Sequence, residues 1–227
     1  MRVYLLPVAA MALVVLASNI LVQFPMAGHL GSLALGDLLT WGAFTYPFAF
    51  LVTDLTNRLL GPVVARRAVY AGFAVAVATS ILVPPILFSF GLLPFETVGE
   101  RLGRIAVASG TAFITAQLLD ITVFNRLRRG SWWKAPIVGS VSGSVVDTAI
   151  FFTVAFSAAF ALVGPGDEFA TAAAPLLGLF PAAEAPRWVS WALGDLCVKL
   201  LIAFVALVPY RLVIGMVLPP REINAAA

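Results

Sequence analysis

Six stretches of this chain stay apolar for the length of a bilayer-crossing helix, and no other feature narrows the fold as far. About 20 such residues cross a hydrocarbon core of about 30 Å. Hydropathy predicts spans at about 3–24, 33–57, 68–90, 104–125, 136–162 and 189–214. The run that follows Arg2 continues to Phe24, longer than the apolar region of a signal peptide, so it reads as the first span. Of the 227 residues 61% are hydrophobic and 11% charged, and the mean hydropathy is +1.01. A water-soluble globule is excluded. The apolar residues fall in continuous blocks and lack the alternation of a membrane β-barrel. The expectation is an all-α membrane protein, one polytopic domain over residues 1–227 with six transmembrane helices.

The cations set the orientation. Arg2, Arg58, Arg66, Arg67, Arg126, Arg128, Arg129, Lys134, Arg211 and Arg221 fall on one side, against Arg101, Arg104 and Arg187 on the other. The positive-inside bias therefore puts both termini in the cytoplasm. Glu96, Glu100, Asp167, Glu168 and Glu184 fall in the outer loops. Trp132 and Trp133 mark the inner interface, Trp188 and Trp191 the outer one. The net charge of +3 follows from this bias, so no nucleic-acid partner is implied. Pro47, Pro84 and Pro85 predict kinks or breaks. Ala108, Ala112 and Ala116, and the pair Gly139 and Gly143, read as packing faces, within the chain or against a second copy of a homo-oligomer.

Polar residues inside the spans carry the chemistry. A charge at the bilayer centre costs at least about 2.5 kcal/mol, so such a residue faces the bundle interior. Trp188, Trp191, Asp195 and Lys199 share one face of the last span. Ser140, Ser144, Asp147, Thr148 and Phe151 share a face of the fifth; Gln117, Asp120 and Phe124 of the fourth; Tyr46, Phe50, Asp54 and Asn57 of the second; Asn19 and Gln23 of the first. Several acids against the single intramembrane Lys199 exceed what neutralisation needs, which favours a polar cavity for transport or ion coupling over a neutralised structural cluster. Lys199 has two candidate partners, Asp195 at i, i+4 and Asp147 at similar depth.

Other classes find little here. One histidine, His29, and one cysteine, Cys197, leave no metal, haem or disulfide framework, and no cofactor is implied. No phosphate-binding GxxxxGK[ST] loop, nucleophile elbow or paired-histidine motif occurs, so no catalytic residue is assigned and an enzyme is not expected. Ala34-Leu35-Gly36-Asp37-Leu38 recurs at Ala192-Leu193-Gly194-Asp195-Leu196, without the common spacing that a symmetric repeat requires.

The order Ser18-Asn19, Tyr46-Pro47-Phe48, Phe50-Leu51-Val52-Thr53-Asp54-Leu55, Asn57, Gly61 and Ala65-Arg66-Arg67 is distinctive. It continues through Gln117-Leu118-Leu119-Asp120, Val123 to Leu127, Ser144, Asp147-Thr148, Phe151-Phe152, Asp195-Leu196-Cys197 and Lys199. Together these resemble the queuosine precursor transporter family, formerly the putative vitamin uptake transporters. The resemblance implies a six-helix carrier of the bacterial inner membrane, embedded in lipid, that imports a small-molecule substrate, 7-cyano-7-deazaguanine or 7-aminomethyl-7-deazaguanine. Such a base offers an amide N–H beside an amine for a carboxylate, a carbonyl for a donor and a flat ring for an aromatic group. The candidate substrate-binding residues are Asn19, Trp41, Tyr46, Asp54, Gln117, Asp120, Phe124, Ser144, Asp147 and Trp191, with Asp195 and Lys199 as coupling or gating residues. Arg58 departs from the acidic residue that many members carry after the asparagine. The first reading is an ion-coupled secondary transporter. The alternative is a substrate-binding membrane subunit served by a separate ATPase complex, against which Ala9, Ala10, Ala12 and Ala17 form no AxxxA docking stripe.

Overall fold

The structure is a computed structural model that describes residues 2–31, 33–94 and 99–219. Glu96, Arg221 and the side chain of Arg2 lie outside the described residues. Helix α1 (Arg2–Leu21) leads into a small antiparallel hairpin, β1 (His29–Leu30) and β2 (Leu33–Ala34), then a 3-10 turn over Leu35–Asp37. Next come α2 (Gly42–Thr45), α3 (Phe48–Leu60), α4 (Pro62–Ser89), α5 (Gly99–Leu127) and α6 (Lys134–Phe156). The chain then forms a 3-10 segment (Ala158–Val163), the short α7 (Glu168–Thr171) and a second hairpin, β3 (Ala173–Leu176) with β4 (Phe180–Pro186). Helices α8 (Arg187–Val205) and α9 (Leu207–Val217) close it.

Among the described residues, five stretches are long and apolar enough to cross a membrane: Tyr4–Leu21, Pro62–Ser89, Gly99–Leu127, Lys134–Phe156 and Arg187–Val217. The remaining predicted stretch, 33–57, is not one continuous helix. It divides into β2, the 3-10 turn, α2 and α3. Pro47, which has no N–H to donate, stands at the junction of the two helical pieces. Pro84 and Pro85, by contrast, sit inside α4 without ending it. Gly61, at φ +86°, turns the chain from α3 into α4 in one residue, and Pro62 starts the new helix where a missing N–H costs nothing.

The broken element lies at the centre. Helix α3 packs against α1, α4, α5, α6 and α9, and buries Ala49, Phe50, Thr53, Asp54, Thr56 and Asn57. Around it Met11, Val15, Ala65, Ala68, Val69, Ala76, Phe113 and Ile121 form one apolar core. Small residues allow the closest approach, on α5 at Ala108, Ala112 and Ala116 and on α6 at Gly139 and Gly143. A Cβ on Gly143 would meet the Phe50 ring and the Ala116 carbonyl, and one on Gly139 would overlap the Asp120 carboxylate. The glycine pair is thus a packing face within the chain.

The two ends of the bundle differ. At one end the Arg67 guanidinium lies 5.0 Å over the Tyr4 ring, Arg58 Nη1 donates to the Arg128 carbonyl at 2.7 Å, and Arg211 lies 5.1 Å over Trp132. At the other end Arg101 pairs with Asp167. Arg104, counted in the sequence among the cations of the outer side, is buried in α5, at 1% exposure. Its guanidinium donates to the carbonyls of Val154, Ser157, Gly164 and Pro165 at 2.9, 2.6, 3.1 and 3.2 Å. This cation covers the negative end of the α6 dipole and the turn beyond it.

Candidate functional site

Three buried charges meet between α6 and α8. Lys199 Nζ lies 2.7 Å from Asp147 Oδ2 and 2.5 Å from Asp195 Oδ2, so the one lysine bridges both candidate partners. It also donates to Thr148 Oγ1 at 3.2 Å, and that hydroxyl donates to Asp195 Oδ2 at 2.9 Å. Tyr46, next to the Pro47 break, donates its hydroxyl to Asp147 Oδ1 at 2.7 Å and sets its ring 5.1 Å from the ammonium. Phe50 and Phe113 pack edge-on against that ring and fix it. With two carboxylates for one ammonium, the triad carries a formal excess of one negative charge.

A second polar layer lies seven residues, about 10 Å along α6, toward the arginine-rich end. Ser140 donates to Asp54 Oδ2 at 3.1 Å. Asp120 abuts Gly139, the residue before Ser140. Both acids are buried, and neither forms an ion pair among the described residues. Thr53 donates to Gln117 Oε1 at 2.5 Å beside them. Asp54 Oδ1, both Asp120 oxygens, both amide atoms of Asn57, Gln117 Nε2, Ser144 Oγ and the Tyr210 hydroxyl are buried without a hydrogen-bond partner among the described residues.

A cavity joins the two layers. Lys199 and Ser144 line one end, Asp54, Ser140 and Tyr210 the other, and Phe50 and Pro47 one wall. The space is about 320 Å³, much of it open to the outside of the bundle, and its enclosed part has room for about one water. This arrangement can bind a polar solute only by parting the groups that now hold one another.

Of the sequence candidates, Tyr46, Ser144, Asp147, Asp195 and Lys199 come together at the triad and cavity, while Asp54, Gln117 and Asp120 form the second layer. Phe124 is buried in an apolar cluster with Ala135, Tyr210 and Ile214. Three candidates lie elsewhere. Asn19 accepts from Ser80 Oγ at 3.1 Å and donates to the Val15 carbonyl, which staples α1 to α4. Trp41 is 43% exposed at the start of α2. Trp191 donates Nε1 to the Asp37 carbonyl at 2.8 Å and packs edge-on against Phe156. Arg58 spends its guanidinium on a backbone carbonyl. Tyr210 was not singled out in the sequence, although it follows Lys199 by 11 residues, about three helical turns, and so extends the same face. Thr148 and Ser140 were on the right face, without a partner to reveal their role.

The wider comparisons agree with the membrane architecture. A Queuosine precursor transporter of Escherichia coli strain K12 is 36% identical over 222 residues, which cover 94% of this chain and 89% of that protein. A Probable queuosine precursor transporter of Haemophilus influenzae is 38% identical over 153 residues, 63% of this chain and 65% of its own length. One from Bacillus subtilis strain 168 is 26% identical over 194 residues, 81% of this chain and 74% of its own. No solved structure matches. A family model described as "Putative vitamin uptake transporter" matches residues 40–213, from the broken α2–α3 element to α9. That match spans both buried polar layers, and the chain belongs to this family of multi-pass bacterial membrane transporters, which are not enzymes.

Proposed function

We propose that this protein carries queuosine precursors, 7-deazaguanine bases such as 7-cyano-7-deazaguanine, across the bacterial inner membrane, as an ion-coupled secondary transporter with six crossings and both termini in the cytoplasm. The observation that carries the reading is the near-full-length similarity to the Escherichia coli queuosine precursor transporter. The chemistry of the buried triad supports it. When the Lys199–Asp147 contact opens, the Asp147 carboxylate accepts from the amide N–H and amine of the base, and the freed ammonium donates to the base carbonyl. Tyr46 holds the far oxygen of Asp147 and offers its ring to the flat solute. Asp195 keeps Lys199 charged and positioned while Asp147 is engaged. Substrate hydrogen bonds thus replace internal ones, so neither Asp147 nor Lys199 is left without a hydrogen-bond partner in a low-dielectric site. Asn19, Trp41 and Trp191 have structural roles in this reading.

Uptake of labelled 7-cyano-7-deazaguanine into liposomes that contain only this purified protein tests the proposal. Saturable uptake, and its loss in Asp147→Asn, is the expected result. Binding without uptake in every gradient would mean that a separate energising complex is needed. Absence of both would end the substrate assignment.

A further inference from the structure

A carboxylate pair one layer below the proposed substrate site has no use in the exchange of contacts just described. Asp54 on α3 and Asp120 on α5 face consecutive residues of α6. Adjacent residues of α6 touch them, Ser140 by donating to Asp54 and Gly139 by closing on Asp120. Exposure is 2% for Asp54 and 0% for Asp120. The ion pairs among the described residues leave both out. Among the described residues one hydroxyl donates to Asp54 and none to Asp120.

An independent observation points to a ligand there. Tyr210 is 1% exposed and lines the same cavity as Asp54 and Ser140, and its buried hydroxyl has no hydrogen-bond partner among the described residues. Two buried carboxylates with no cation beside them are costly to keep ionised together, and binding a proton is the least costly remedy. We propose that Asp54 and Asp120 form a proton-binding site, separate from the Lys199 triad, and that this proton drives the carrier.

The surrounding groups suit that role. Helix α3 adds Arg58, which is committed to the Arg128 carbonyl in the turn after α5. Helix α9 brings Tyr210 and Arg211, the latter over the Trp132 ring. Helix α8 brings Lys199, neutralised by Asp147 and Asp195. The facing residues of α6 are Gly139, Ser140 and Ser144, none of which titrates. The pair takes up one proton while the cavity is open outward and releases it to the cytoplasm when the cavity opens inward. Because the base is neutral, one positive charge enters per cycle. The cavity, with Lys199 at one end and Asp54 at the other, links proton and solute.

The coupling half of the inference rests on the transport reading above, and the tests separate the two. Infrared spectra of the lipid-reconstituted protein without substrate should show a protonated-carboxyl band that titrates with pH and is lost in both Asp120→Asn and Asp54→Asn. Its persistence in both variants overturns the site whatever the protein transports. In liposomes, uptake by the wild type should be stimulated by an inward proton gradient, and Asp120→Asn, shown to be folded by its thermal midpoint, should lose that stimulation. Retained stimulation, or stimulation of the wild type by a sodium gradient alone, overturns proton coupling. Absence of counterflow in the wild type would instead defeat the transport reading and leave the infrared result to decide the site.

Discussion

Lys199 is the residue on which the polar interior turns, because one ammonium serves two carboxylates and a tyrosine ring. Replacing it by methionine keeps the length and leaves Asp147 and Asp195 with no cation. Lys199→Met should destabilise the protein by about 3–5 kcal/mol, read as a large fall in the thermal midpoint in detergent. Asp195→Asn leaves a balanced Asp147–Lys199 pair, and its midpoint should fall far less. Arg104 is the second such residue. Arg104→Ala strips four carbonyls of a donor, an expected loss of roughly 2–3 kcal/mol, with faster proteolysis of the 157–167 segment. Arg104→Lys should recover only part, because one ammonium lacks the planar fork that reaches all four. The sequence marked Asp147, Asp195 and Lys199 as inward-facing from cost alone. It offered Asp195 and Asp147, 52 residues away, as alternatives for Lys199 and could not show that both are engaged, and it counted Arg104 as an outer-side cation without seeing the four carbonyls that bury it.

At the scale of elements, packing overrode local sequence more than once. The identical pentapeptides at 34–38 and 192–196 fold differently, the first as the end of β2 and a 3-10 turn, the second inside α8. Gly36 has the Met26 carbonyl and Pro25 against it, whereas Gly194 sits under Leu38 and Leu39. Residues 33–57 carried enough hydropathy for a span, yet that measure does not register that Pro47 and the glycines before it interrupt a helix. Glycines on the two faces of one bundle should likewise respond differently. Gly143→Ala drives a Cβ into Phe50, the side chain that braces Tyr46. It should lower the thermal midpoint and weaken substrate binding together. Gly103→Ala, on α5 with nothing within 4 Å, should be neutral or stabilise by up to about 1 kcal/mol through helix propensity.

For the whole molecule, the ends of the bundle give the sharpest check on orientation. In a Cys197→Ser background, Gly166→Cys should react with a membrane-impermeant maleimide added outside intact cells. Gly130→Cys, in the turn between α5 and α6, should react only after permeabilisation. The opposite pattern would reverse the bundle in the membrane, and with it the direction in which the proton and the solute are released. The sequence by itself determined the membrane, the all-helical class, the ends of the bundle to which most charges belong and the set of polar residues that must face inward. It could do so because transfer into hydrocarbon is costly residue by residue and is therefore written locally. The tertiary structure alone decided that the broken α2–α3 element is the centre of the bundle, that Lys199 bridges two acids, and that Asp54 and Asp120 are buried without a cation among the described residues. Those outcomes depend on which helix faces meet, and each meeting is fixed by shape and small residues on segments far apart in the chain.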